Sequence, residues 1–334
     1  MNASQQSGPV SDAGAAGMLA DDVAIPFAVL PLEVRGRVVR LGAALDVLLA
    51  NHGYPVPVAR ALGEAATLTA LLGTSLKFEG RFQLQTRSDG VIDMLVVDFD
   101  APDRLRAFAR FKADKLDEAL AAGAASPAQL LGKGHLAFTI DQGPEMSRYQ
   151  GVVSLTGQGL EAAAHEYFLR SEQIPTLVRL AVAEVLAPGA PAPNWRAGGL
   201  IVQFLPDSPE RRRIADLDPG DAPEGAQIAA FAEDDFWAEA RALAGTVADH
   251  ELVDPALSTE RLLYRLFHER GVTVYGAGPL RHACRCSREG IELMLRGFSV
   301  QERKDMVGDD GRIGVTCEFC GVPRDFDPAD FAAD

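Results

Sequence analysis

All four cysteines of this 334-residue chain lie near its C-terminus, in two close pairs: Cys284-Arg285-Cys286 and, after 30 intervening residues, Cys317-Glu318-Phe319-Cys320-Gly321. Two such pairs separated by a loop meet the demands of a tetrahedral four-cysteine zinc site. Each pair offers two thiolates from one turn, and Zn–S distances of about 2.3 Å tolerate little slack. Gly321 suits the turn because it can take a positive φ. Four thiolates on a divalent ion leave a formal charge of −2, which the sequence neighbours Arg281, Arg285, Arg288 and Arg324 are placed to neutralise. His268 and His282 are possible substitute ligands, but with four cysteines available both read as ordinary surface or helix-face histidines. A segment of about 45 residues rarely has core enough to fold alone, whereas structural zinc contributes roughly 10 to 16 kcal/mol of apparent binding free energy. Removing the ion is therefore expected to unfold the module. Oxidation is one way to remove it, since an oxidised sulfur no longer offers a thiolate and a neighbouring cysteine can resolve a sulfenic acid into a disulfide. On spacing alone, a permanent structural zinc is favoured over such a switch.

Upstream, residues 25–205 read as one large α+β domain. Leu41, Leu45, Leu48 and Leu49 share a helical stripe, and a second helix follows Pro55 with Val58, Leu62, Ala65, Thr69 and Leu72 on one side. Phe82, Leu84 and Thr86 alternate up to Asp89-Gly90, a dipeptide suited to a tight hairpin, and residues 91–98 return as the partner strand. Further strands are expected at 105–111, 135–140, 151–155, 176–185 and 200–205, with helices at 115–122 and 160–171. Hairpin-like strands in succession, broken by a few helices, predict an antiparallel sheet domain.

Residues 206–278 form a different stretch, an acidic helical linker leading to the four-cysteine module at 279–327. Between 206 and 260, fourteen acidic residues face four arginines, and five prolines punctuate the run. Asp234 or Asp235 is placed to cap a helix carrying Phe236, Ala240, Leu243 and Val247, and Ser258 or Thr259 to cap another through Leu262, Leu263, Leu266 and Phe267, ended by Gly271. Charges this dense repel, so these helices must borrow stability from neighbours; a plain solvated spacer is an equal reading on composition.

A net charge of −15 offers no basic face to a nucleic acid. The longest uncharged stretch, Ala119 to Gly132, is shorter than the roughly 20 apolar residues of a membrane span and contains Gly123 and Pro127. Residues 1–24 hold no Lys or Arg and no apolar run, so they read as a disordered tail rather than a secretory signal, and a cytoplasmic location with reduced thiols is expected. Gly157-Gln158-Gly159 imitates part of a dinucleotide fingerprint, but no acidic residue stands about 20 positions on, and a tight strand-to-helix turn is the simpler account. Asp98 and Asp100 read as solvated or capping carboxylates rather than an acid–base pair. No catalytic residue is expected. A thioredoxin-like redox role for Cys317 and Cys320, which would make the chain a dithiol oxidoreductase, would leave the other pair idle. The leucines and phenylalanines of the large domain read as core, so no surface for other proteins can be assigned.

At Cys284-Arg285-Cys286-Ser287-Arg288-Glu289 and Cys317-Glu318-Phe319-Cys320 the chain resembles the heat shock protein 33 family, also called the 33 kDa chaperonin family. The resemblance extends through residues 261–269 and 272–275 in the linker, and through 76–80, 149–153 and 167–173 in the large domain. It covers roughly residues 27–327, departing over the first residues and over about 207–234. It implies a cytoplasmic, ATP-independent holdase, inactive while Cys284, Cys286, Cys317 and Cys320 bind Zn2+. It further implies disulfides Cys284–Cys286 and Cys317–Cys320 under hypochlorite or peroxide with heat, loss of zinc and unfolding of the linker. The implied partners are a second copy on activation, unfolding client proteins, and the ATP-dependent foldase chaperones that receive them. A constitutive zinc-stabilised interaction protein is the alternative.

Overall fold

The computed structural model describes residues 21–50, 52–76, 79–143, 146–186, 193–206 and 234–331. The tail expected over 1–24 lies outside the described residues except for positions 21–24, and the most acidic part of the linker, 207–233, lies outside them too. In chain order, strands β1 (Val23–Val29) and β2 (Val34–Leu41) precede helices α1 (Ala43–Ala50) and α2 (Val56–Gly73). Strands β3 (Arg81–Ser88), β4 (Ile92–Asp100) and β5 (Arg104–Phe111) lead to helices α3 (Ala113–Ala121) and α4 (Pro127–Leu131). Then come β6 (Lys133–Asp141), β7 (Tyr149–Thr156), α5 (Gly159–Tyr167), β8 (Thr176–Val185) and β9 (Asn194–Phe204).

The large domain is α+β with antiparallel sheets, as the strand pattern predicts. One sheet runs β1-β2-β9-β8, the other β5-β4-β3-β6-β7. Helix α2 lies between them, touching β2, β8 and β9 on one side and β3, β4 and β5 on the other. It is buried almost all round, and its interior hydroxyls turn back on the helix: Thr67 Oγ1 donates to the Gly63 carbonyl at 2.8 Å and Thr69 Oγ1 to that of Ala65 at 2.7 Å. Several details differ from the sequence reading, among them β9, which opens at Asn194 rather than at residue 200. Leu41 ends β2 instead of joining the α1 stripe. Val23 opens β1 ahead of the expected boundary at residue 25. Gly90 stays outside the left-handed region and is needed for closeness, since a Cβ there would lie 2.2 Å from the Leu130 carbonyl oxygen.

The linker helices α6 (Asp235–Gly245), α7 (Asp249–Val253) and α8 (Thr259–Phe267) cover the outer side of the first sheet. Asp234 caps α6 and Ser258 caps α8 through their side-chain oxygens. Ala240 and Val247 are buried and Leu243 packs against the same core, as expected, but Phe236 is exposed and Trp237 and Ala244 take the inward places beside them. These helices share one core with Phe27, Val38, Leu200, Val202 and Phe204. Their carboxylates are answered by arginines from outside the acidic run, with Arg265 on Glu251 at 2.7 Å, Arg270 on Glu239 at 2.6 Å and Arg179 on Asp249 at 2.7 Å. Backbone also meets backbone here: a Cβ on Gly198 would stand 2.1 Å from the Leu252 carbonyl oxygen, so only glycine seats α7 on β9.

Past α8 the chain adds β10 (Thr273–Val274) and β11 (Gly278–Pro279) to the edge of β1, both antiparallel. One residue later β12 (Arg281–His282) runs parallel to β5 in the other sheet, with Leu280 buried at the crossing. The C-terminal module follows: α9 (Arg288–Arg296), α10 (Val300–Asp305) and the hairpin of β13 (Ile313–Thr316) with β14 (Pro323–Phe326). Its own core is small, formed by Leu295, Ile313, Phe326 and Phe331 with Ile291, Phe298, Val307 and Val315 around them.

Candidate metal centre

Cys284 and Cys286 stand on the irregular segment between β12 and α9, and Cys317 and Cys320 on the turn joining β13 to β14. The two turns bring all four sulfurs within 4.8 Å of one another. Cys284 and Cys317 Sγ atoms are 3.7 Å apart, and those of Cys286 and Cys320 3.4 Å. A tetrahedron of sulfurs about 2.3 Å from a central ion has edges of about 3.8 Å, so the donor set fits a tetrahedral, thiophilic divalent ion such as zinc. Gly321 takes φ 66°, as its place after the second pair predicts, and its N–H donates to the Cys317 carbonyl at 2.8 Å. Backbone N–H groups of Cys286 and Val322 serve the sulfurs of Cys284 and Cys320. Neither His268 nor His282 joins the cluster.

Of the four arginines expected to balance the thiolates, only Arg324 has a hydrogen bond to a sulfur, its Nη1 lying 3.2 Å from Cys286 Sγ. Burial pushes the Cys286 thiol up, but the Arg324 guanidinium and the neighbouring cysteines outweigh it and bring the thiol down to about 7. Burial, followed by hydrogen bonding within the cluster, pushes Cys320 up to about 12 and also raises Cys284. Arg288 instead pairs with Glu292 at 3.0 Å and lies over the Phe326 ring at 4.5 Å. Arg281 and Arg285 turn away from the sulfurs toward the large domain.

That domain meets the module with buried carboxylates. Asp98 and Asp100 are not solvated, as the sequence suggested, but 0% and 6% exposed on β4. Asp98 Oδ2 accepts from Arg106 Nε at 2.8 Å and Oδ1 from Gln83 Nε2 at 2.7 Å. Arg285, between the first two cysteines, spans both acids, with Nη2 3.3 Å from Asp98 Oδ2 and Nε 3.2 Å from Asp100 Oδ2. Arg281 Nε donates to Asp103 at 2.8 Å, and the Ala283 N–H to the Leu105 carbonyl at 2.9 Å. From the second cysteine turn, Phe319 lands on the outer face of the same sheet beside Met94, Val96 and Phe108. Its carbonyl lies 3.2 Å from His52 Nε2. Gly157 and Gly159, both at positive φ, make the tight turn from β7 into α5, and β7 pairs antiparallel with β6, with no parallel partner among the described residues.

An α+β domain of two antiparallel sheets joined to a four-thiol module defines a class of protein whose C-terminal end is organised around a candidate metal site. The family model described as Hsp33 protein matches residues 22–327, and the chain belongs to that family. It is 43% identical over 310 residues to the 33 kDa chaperonin of Caulobacter vibrioides, covering 92% of this chain and 95% of that one. It is 34% identical over 301 residues to the 33 kDa chaperonin of Pseudomonas fluorescens, covering 90% and 89%. The crystal structure of a 33 kDa chaperonin, heat shock protein 33 homolog, from Thermotoga maritima matches the fold with a TM-score of 0.70 at 18% identity, over 93% of this chain and 96% of that one. Chaperonins are not an enzyme class, and among the described residues no helix is long and apolar enough to cross a membrane.

Proposed function

We propose that this chain is a cytoplasmic, ATP-independent holdase whose activity is set by the oxidation state of Cys284, Cys286, Cys317 and Cys320. The observation that carries the reading is the convergence of the four sulfurs within 4.8 Å in a module bonded to the large domain through Arg285. Zinc, when bound, ties the two cysteine turns together and stabilises the module by roughly 10 to 16 kcal/mol. That is comparable with the whole stability of an ordinary domain, about 5 to 15 kcal/mol, so the module's few core residues would not stay ordered without it. The functional division would be 25–205 as the core, 206–278 as the linker and 279–327 as the switch.

Under an oxidant of the hypochlorite or peroxide class, two thiolates surrender two electrons for each S–S bond formed, and each disulfide withdraws two donors from the ligand set. The pairing we propose is Cys284 with Cys286 and Cys317 with Cys320. In the reduced geometry the short sulfur separations run between the two turns, so this pairing requires each turn to rearrange. The linker helices would then lose their anchor, the chain would pair with a second copy, and exposed apolar surface would hold unfolding proteins for later transfer to ATP-dependent foldases. The test follows zinc release, thiol loss and suppression of citrate synthase aggregation in one sample during oxidant treatment, with disulfide mapping at the end. All three should change together and reverse with reductant. Zinc retained under oxidant would favour a constitutive zinc-stabilised interaction protein, and turnover of a disulfide substrate an oxidoreductase.

A further inference from the structure

The outer face of the second sheet carries a small grid of side chains fixed by strand register. Asp98 on β4 stands opposite Gln83 on β3 and Arg106 on β5, and two residues along, Val96 stands opposite Gln85 and Phe108. Charged and apolar rows thus adjoin, because residues two apart share a face. Met94, Val96 and Phe108 form an apolar cluster separate from the main core, and the ring set against it is Phe319. The Phe108 and Phe319 rings meet edge to face, with centroids 4.9 Å apart at 82°. The Arg106 guanidinium lies 3.8 Å from the centroid of the Phe319 ring and is itself held by Asp98. The seat therefore grips an aromatic side chain by an apolar floor, a ring edge and a cation, while His52 bonds the adjoining carbonyl.

We propose that this seat is a client-binding site for aromatic residues in extended segments of unfolded proteins, and that Phe319 occupies it as an internal stand-in while the metal module is docked. The inference rests on the holdase reading and adds the surface and the chemistry of its partner. Three features of the seat suit a foreign chain as well as its own. The recognised ring needs no particular neighbours, because the contacts fall on one side chain and one backbone carbonyl. The seat is built on strands of the large domain, anchored from behind by Leu95, Val97 and Leu105 in the main core, so its shape does not depend on the module. Arg285 and Phe319 reach it from the two cysteine turns separately, so rearranging either turn loosens the cover.

The test uses the full chain with photoreactive benzoylphenylalanine placed at Gln85, on the rim of the seat, or at exposed Leu120 on α3 as a control, with thermally unfolding citrate synthase as the client. In the reduced, zinc-loaded chain the Gln85 probe should crosslink within the protein to the segment around Phe319. After oxidation it should capture client at least several-fold more often than the Leu120 probe. Phe319→Ala, with zinc content intact, should allow capture at Gln85 without oxidant. Phe108→Ala, on the floor of the seat, should weaken capture by the oxidised chain about three- to tenfold, and it decides the matter if Phe319→Ala fails to hold zinc. An oxidised chain that suppresses aggregation while its Gln85 probe captures no more client than Leu120, or while Phe108→Ala captures as well as the unsubstituted protein, overturns the seat and leaves the holdase reading standing. An oxidised chain that suppresses no aggregation overturns that reading, and the seat with it.

Discussion

Replacing Arg303 by methionine is expected to weaken metal binding although residue 303 stands apart from both cysteine turns. Arg303 is 6% exposed and is bonded to backbone carbonyls: Nη1 donates to Phe298 at 2.8 Å, with longer contacts to Arg296 at 3.4 Å and Leu295 at 3.5 Å, and Nη2 donates to Phe331 at 3.0 Å. It thereby satisfies the C-terminal end of α9 and pins the last turn, Pro328–Phe331, whose Phe331 ring completes the module core. The two short bonds contribute about 1.5 to 3 kcal/mol each as hydrogen bonds from a charged donor. Methionine fills much of the volume and avoids burying a cation, which offsets part of the loss, so a net cost of about 3 kcal/mol is expected. With the module's folding and metal binding one equilibrium, as proposed, that cost would appear as an apparent zinc affinity about 100-fold weaker, at 1.4 kcal/mol per factor of ten. Competition against a chromophoric chelator measures it directly. An affinity within threefold of the unsubstituted protein, with the far-ultraviolet spectrum unchanged, would refute the coupling.

Three further outcomes are expected. Cys317→Ser should lower zinc affinity and destabilise the module, because three thiolates and a hydroxyl make a poor site; unchanged stoichiometry and affinity would count against Cys317 as a ligand. Gly198→Ala should push α7 off β9, so that hydrogen exchange across 249–267 speeds up in the reduced, zinc-loaded chain while β3 to β7 stay protected; equal protection of both regions would refute the seating argument. Burial, reinforced by the charges of Glu161 and Asp249, raises Glu64 on α2 from 4.5 to about 8. Its contribution to stability is therefore complete below pH 4.5 and falls between 4.5 and 8, by up to about 1.4 kcal/mol per pH unit, as the unfolded chain releases a proton that the folded chain keeps. Glu64→Gln should flatten that slope in urea titrations across this range, and an unaltered slope would exclude Glu64 as its source.

The sequence exposes those parts of the molecule that local chemistry dictates. Cysteine spacing located the thiol cluster, side-chain caps at Asp234 and Ser258 marked the linker helices, and alternation delimited β8 to the residue. What escaped it depends on partners far away in the chain. Asp98 is a core carboxylate only because hairpin register sets Arg106 opposite it and the fold later delivers Arg285. The register was within reach, since two acids at 98 and 100 followed by arginines at 104 and 106 bracket a turn; the arrival of Arg285 was not. Trp237 rather than Phe236 is buried on α6 because its ring packs on Phe204 of the first sheet, a partner that helical period alone does not reveal. Arg281, Arg285 and Arg288 seemed ready counter-charges by proximity in sequence, yet carboxylates, not sulfurs, claimed them.

The passage from one sheet to the other at Leu280 gives the molecule a seam. Two register pairs at β10, two at β11 and two at β12 form the ladder that joins this ribbon to the sheet edges, beside the buried Leu280 side chain and the Arg281–Asp103 ion pair, whereas β1 retains seven pairs with β2 whatever happens on its far side. Peeling the ribbon away would cost those edge contacts and the burial of Leu280, and would leave the ladders among the central strands intact. If the module releases as proposed, this ribbon would come undone like a basted hem while the strand ladders of the cloth stay whole, leaving the body of the fold ready to be resewn.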